Sequence, residues 1–196
     1  GDAIGPIRAE STLADRWKLH PGGPDVSSST VITVSDAREA NWLSRLSDYA
    51  DLSKPRILVR VLITATLSAL IATAGEPDLW ALFHTLIGTT FVAASASALN
   101  QWWERAHDQR MERTENRPLA AGRLGAVETM LLGLAVVVAG LFYLLLTRGV
   151  PVTVWAGLTW ILYVLLYTPL KSRTWWNTAV GAIPGALPVV IGWTGT

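Results

Sequence analysis

Five stretches of this chain are too apolar to be read as a soluble fold. Leu79–Leu99 runs 21 residues without a formal charge, Thr129–Thr147 runs 19 and Gly149–Leu170 runs 22. Ile57–Ala74 is 18 residues long and carries only Arg60, and a fifth apolar stretch occupies Thr178–Thr196. A helix needs about 20 mostly apolar residues to cross the hydrocarbon core. It must also satisfy its own backbone hydrogen bonds there. A soluble protein can bury one such run; five in succession predict an all-α fold, a polytopic transmembrane helical bundle with about five spans in this chain.

The charges agree with that reading. Only 16% of residues are charged, against roughly 25% in soluble domains. A net charge of +1 speaks against nucleic acid as a partner and leaves membrane lipid as the surroundings. The absence of Cys excludes a disulfide scaffold, a Cys-ligated metal site and a thiol nucleophile. Seven Lys or Arg precede the first span, five lie in Gln101–Arg123 and two follow the fourth span, whereas the intervening turns hold only Arg148. The positive-inside rule then predicts that the N-terminus, Gln101–Arg123 and Lys171–Asn177 face the cytoplasm. Residues 1–46 are rich in Gly, Pro, Ser and Asp with little helical period, and read as a mostly disordered cytoplasmic tail. The membrane domain is expected from residue 47 to 196.

One polar constellation sits at the predicted cytoplasmic mouth of the second span. Asn100, Glu104 and Asp108 are spaced i, i+4, i+8. Each step of four drifts only about 40° around a helix, so all three share one face. Two carboxylates and an amide oxygen suit Mg²⁺, which completes its octahedron with water and substrate phosphates. Arg105, Arg110, Arg113 and Arg117 follow closely, and guanidinium groups are good phosphate partners. The plainer reading is a solvated helix face with arginines that set topology. A second cluster, Tyr167, Lys171, Arg173 and Asn177, ends the fourth span, and Lys54 and Arg56 flank Pro55 before the first. The Tyr167 and Lys171 cluster alone reads as a snorkelling lysine beside an interfacial tyrosine. Together the clusters converge on the same side, as a site for a diphosphate on an apolar tail requires. Pro184 and Pro188 interrupt the small-residue stretch Gly181–Pro188, which predicts an internal cavity wall. His84 and His107 are left without a role.

The motif Asn100-Gln-Trp-Trp-Glu104-Arg-Ala-His-Asp108, continuing through Met111, Arg113, Thr114, Arg117 and Pro118, resembles the first polar motif of the intramembrane UbiA-type prenyltransferase superfamily. Among its branches the chain is most similar to the heme O synthases, the protoheme IX farnesyltransferases. Ser53-Lys-Pro-Arg56, Tyr167-Thr-Pro-Leu-Lys171-Ser-Arg173-Thr and the Asn177-Thr-x-x-Gly-Ala-x-Pro run support that branch, and the resemblance covers residues 48–196.

By analogy the resemblance implies a bundle of about nine spans around a central cavity. It implies a bacterial inner-membrane enzyme of heme biosynthesis that transfers a farnesyl group from farnesyl diphosphate to a vinyl group of protoheme IX. Carried over by position, Asn100, Glu104 and Asp108 would organise Mg²⁺ and the diphosphate, with Lys171 as a further catalytic residue. Arg56, Arg113, Arg117, Tyr167 and Arg173 would contact or support the substrate. Family members carry a second acidic motif later in the chain, and this sequence reaches Thr196 within its fifth apolar stretch without one. The expectation is an N-terminal fragment, inactive alone. Competing readings are a prenyltransferase for a quinone precursor or chlorophyllide, whose motif usually has Asp where Glu104 stands, and a non-enzymatic half-bundle.

Overall fold

The computed structural model describes residues 34–171 and 176–196. Residues 41–196 form one compact unit. The described helices are α1 (Val34–Leu52), α2 (Pro55–Ala72), α3 (Leu79–Asp108), α4 (Ala126–Arg148), α5 (Val150–Leu170) and α6 (Asn177–Thr194). The described residues contain no strand. Helix α1 starts ahead of the boundary at residue 47 that composition suggests; the rest of the expected tail, residues 1–33, lies outside the described residues.

Local sequence sets the helix ends. Pro55 opens α2, where a missing N–H is harmless. Asp78 caps α3 by accepting from the backbone N–H groups of Trp80 and Ala81 at 2.9 and 3.3 Å. Gly149, at φ 82°, is the single residue between α4 and α5. That backbone conformation suits a residue with no Cβ.

Helices α2 to α5 are long and apolar enough to cross a membrane. Helix α6, the fifth apolar stretch, is 18 residues long, contains Pro184 and Pro188, and is not one of these four. It nevertheless packs into the bundle. Ser68 Oγ donates to the Val189 carbonyl at 2.5 Å, and Thr85 Oγ1 to the Gly195 carbonyl at 2.8 Å. Val92, Leu144, Val152, Ala156 and Ile191 bring α3, α4, α5 and α6 into one buried cluster. Ser95 Oγ donates to the Gly133 carbonyl at 2.7 Å and tightens the α3–α4 contact. Outward positions such as Ile63, Leu67, Val138 and Phe142 are more than half exposed, the expected arrangement where lipid is the solvent.

Candidate active site at the polar end of the bundle

Helix α3 is 30 residues long and carries its backbone well past the apolar run. Asn100, Glu104 and Asp108 therefore share one face, as their spacing predicts. Each meets a base from a different segment. Lys54 Nζ, just before α2, donates to Asn100 Oδ1 at 2.7 Å. Lys171 Nζ, after α5, reaches Glu104 Oε1 at 3.0 Å. Arg117 Nη1, from the α3–α4 connection, reaches Asp108 Oδ2 at 2.6 Å. Asn100 and Asp108 are only 2% and 5% exposed, so partners are needed to offset their desolvation. The Lys171–Glu104 pair is more open, with the lysine side chain about half exposed.

A supporting layer fixes these groups. Thr168 Oγ1 accepts from Asn100 Nδ2 at 3.3 Å and donates to the Tyr163 carbonyl at 2.8 Å. Thr168 owes its place to a π-helical stretch, Leu162–Tyr167, after which its N–H bonds to the carbonyl five residues back. Such stretches recur at functional sites. Gln101 Nε2 donates to the Leu52 carbonyl at 2.9 Å and holds the end of α1. Neighbouring residues of α3 thus grip both sides of the turn that leads into α2. Within that turn Lys54 adopts φ 49° and ψ 67°, a left-handed conformation that costs a non-glycine residue about 1–3 kcal/mol. Burial, and then the Arg117 charge, push the Lys54 ammonium down to about 8. The α3–α4 connection is tied as well. Thr114 Oγ1 donates to the Asp108 carbonyl at 3.0 Å, and Arg123 Nε meets Asp48 at 2.8 Å.

Two cavities adjoin here. A polar one of about 510 Å³ is lined by Glu104, Asp108, Arg110, Arg113, Arg117 and Lys171, among others. A mainly apolar one of about 460 Å³ runs among the helices, lined by Val92, Trp160, Tyr163, Tyr167, Gly181 and Ile191, among others. Asn177 lines both. The expected cavity wall on α6 is present, since Gly181, Pro184 and Gly185 face the apolar space. A Cβ on Gly181 would come within 2.6 Å of the Tyr167 ring. The glycine is what lets that ring lie against α6.

The structure sorts the candidates. Arg113, Arg117 and Lys171 line the polar cavity with Glu104 and Asp108. Asn100 lines neither cavity and is buried between Lys54 and Thr168. Tyr167 lines the apolar cavity, beside Tyr163 at 5.4 Å between ring centroids. Arg56 is exposed and lines neither. Arg105 turns aside to the Trp102 ring, 5.1 Å from its centroid. Arg173 lies outside the described residues. His84 Nδ1 is hydrogen-bonded to the Tyr143 hydroxyl at 2.5 Å, away from this site. Thr168, Gln101 and Trp160 escape the sequence reading. Only the π-helical register and contacts 49 to 68 positions apart reveal the first two.

The donor set can be tested against a metal. Among the described residues no three His, Asp or Glu side chains gather as a metal cluster. A closed, all-protein site does not fit. Glu104 and Asp108, lining a roomy basic cavity, fit Mg²⁺, which takes one or two protein carboxylates and keeps water and phosphate oxygens among its ligands. The Asn100 oxygen is turned to Lys54, outside that cavity.

Residues 61–196 match the UbiA prenyltransferase family. The chain is 48% identical over 145 residues to a protoheme IX farnesyltransferase of Rhodopirellula baltica, covering 74% of this chain and 50% of that one. It is 42% identical over 161 residues to one from Solibacter usitatus, covering 75% and 53%. A relative from Myxococcus xanthus is 41% identical over 160 residues, covering 81% and 54%. The chain thus spans about half the length of the curated relatives it matches. No solved structure matches it significantly.

Proposed function

Because the chain belongs to the UbiA prenyltransferase family, we propose that its two adjoining cavities take the two ends of farnesyl diphosphate, and that the whole protein transfers the farnesyl group to protoheme IX, giving heme O. The observation that carries this reading is the junction at Asn177 of a basic chamber and an apolar one. A diphosphate on an isoprenoid tail has that same division. The relatives named as protoheme IX farnesyltransferases narrow the acceptor to heme.

The residues present account for the charge changes of the reaction. Breaking the allylic C–O bond leaves its electron pair on the diphosphate and a positive charge on the prenyl carbon. Lys171, Arg113 and Arg117 hold the growing negative charge through charge-assisted hydrogen bonds. Glu104 and Asp108 would hold Mg²⁺, with Asn100 joining them only by exchanging Lys54 for the ion; when bound, the metal adds Lewis-acid stabilisation of the leaving group. The Tyr163, Tyr167 and Trp160 rings line the apolar chamber, where aromatic faces attract a cation and water is kept away. The vinyl π electrons then form the new C–C bond. Water takes the resulting cation and loses a proton, giving a hydroxyethylfarnesyl group. Arg56 and Arg173 are candidates for outer contacts to the diphosphate. The weight of basic residues at this end supports its placement on the cytoplasmic side of a bacterial inner membrane.

The test is heme O formation from protoheme IX and farnesyl diphosphate, with 4-hydroxybenzoate as the rival acceptor. Heme O should form only with divalent metal, and Asp108→Ala should abolish it at equal protein level. Normal yield from that variant would refute the site, and prenylated benzoate in place of heme O would refute the acceptor.

A further inference from the structure

We propose that residues 42–52 of α1 lie in the membrane surface, with Trp42, Leu43 and Leu46 sunk at the boundary between lipid headgroups and acyl chains. The argument is angular. At 100° per residue, positions 42–52 of α1 fall into three sectors. Arg45, Asp48, Tyr49 and Leu52 form the sector bound to the bundle. Asp48 meets Arg123 at 2.8 Å, Tyr49 donates to Glu128, and Leu52 packs with Ala98 and Leu124. Ser44, Ser47 and Asp51 form a second sector, polar and exposed. Trp42, Leu43, Leu46 and the exposed Ala50 form the third, and the three large side chains are 50%, 54% and 54% exposed. A helix that needed only one partner would show two sectors. Three imply bundle, water and a third, apolar medium.

Lipid is the occupant that fits. Only Ser53 and Lys54 separate α1 from the spanning helix α2, so α1 ends at the level where that span begins. The lipid-facing flank of α2 begins at once with Ile57 and Val59, 46% and 53% exposed. Trp42, with its amphipathic ring, is a residue of the headgroup level. An interfacial helix typically sinks its apolar face about 5–10 Å into the boundary between headgroups and chains. Gln101 and Asn100 grip the chain at Leu52 and Lys54. A lipid-seated α1 therefore sets the height of the site relative to the membrane surface. The inference rests on the membrane bundle alone and stands apart from the reaction proposed above.

The chain has no cysteine, so single cysteines can carry nitroxide spin labels at positions 42 to 52. The protein is reconstituted in vesicles of phosphatidylethanolamine with a minority of phosphatidylglycerol, and collisions with oxygen and with a water-soluble nickel chelate are measured. Labels at 43 and 46 should favour oxygen, at a depth of about 5–10 Å. Labels at 47 and 51 should favour nickel. Equal nickel access at 43 and 46 would overturn the inference in favour of water. Protection of 43 and 46 from both reagents would overturn it in favour of a protein partner. A second measurement leaves Leu43 and Leu46 in place: Trp42→Phe should remove part of the tryptophan fluorescence quenched by brominated lipid. No loss of that quenched fraction would also overturn it.

Discussion

Lys54 and Asn100, 46 positions apart, meet through a 2.7 Å hydrogen bond that fastens the turn before α2 to the polar end of α3. Burial and the nearby Arg117 charge lower the Lys54 ammonium from 10.5 to about 8. The sign follows from linkage. Between about pH 8 and 10.5 the unfolded chain binds more protons at this residue than the folded one, so this group makes stability rise with pH across that window. Reductive methylation with carbon-13 should give a lysine resonance titrating near 8 that is absent from Lys54→Arg. A Lys54 resonance still charged at pH 10 would contradict the burial.

Asp108→Asn should destabilise the protein as well as inactivate it. Removing the carboxylate charge leaves the part-buried Arg117 uncompensated, at a cost of about 1–3 kcal/mol. Thermal unfolding in detergent would read this. The double variant Asp108→Asn/Arg117→Met should regain much of the stability and none of the heme O yield. Recovery of both together would make the pair purely structural.

Thr168→Val should release the Asn100 amide. One neutral hydrogen bond is worth about 1 kcal/mol, roughly a fivefold change. The magnesium concentration for half-maximal turnover should therefore rise about fivefold, and Thr168→Ser should restore it. An unchanged metal requirement in the valine variant would remove Thr168 from any role at Asn100.

Ala156, fully buried, lines the apolar cavity 11 residues along α5 from Tyr167, a separation of roughly 16 Å by helical rise. Ala156→Leu should obstruct the space that a farnesyl tail needs and spare a shorter geranyl tail. Competition binding should show the farnesyl compound weakened about tenfold, the effect of roughly 1.4 kcal/mol, with the geranyl compound little changed. Equal loss for both would mean that the tail lies elsewhere.

Periodicity made the face of α3 readable. Asn100, Glu104 and Asp108 keep their i, i+4 geometry because the helix simply continues past the apolar run. The pairings were not readable, because a residue's own neighbours say nothing about which base crosses 46 or 67 positions to meet it. Lys54 and Arg56 show the difference. Both flank Pro55, but the left-handed turn at Lys54 directs one to Asn100 while Arg56, already within α2, is exposed. The cavity wall on α6 was legible from Gly181 and Pro184. The role of Gly181 as the bed for Tyr167 required the packed bundle. Of the five apolar runs, four are helices long and apolar enough to cross a membrane, and the fifth is α6, an 18-residue helix that contains Pro184 and Pro188 and packs into the same bundle.

The π-helical stretch Leu162–Tyr167 acts as a frame shift written into a helix. It adds one residue to a turn, and everything beyond it is rotated by about 100° relative to an uninterrupted α-helix. Thr168 reaches Asn100 and Lys171 reaches Glu104 only in that shifted frame. Deleting one residue from the stretch would leave every downstream side chain chemically intact, yet aim the whole set at a different neighbour.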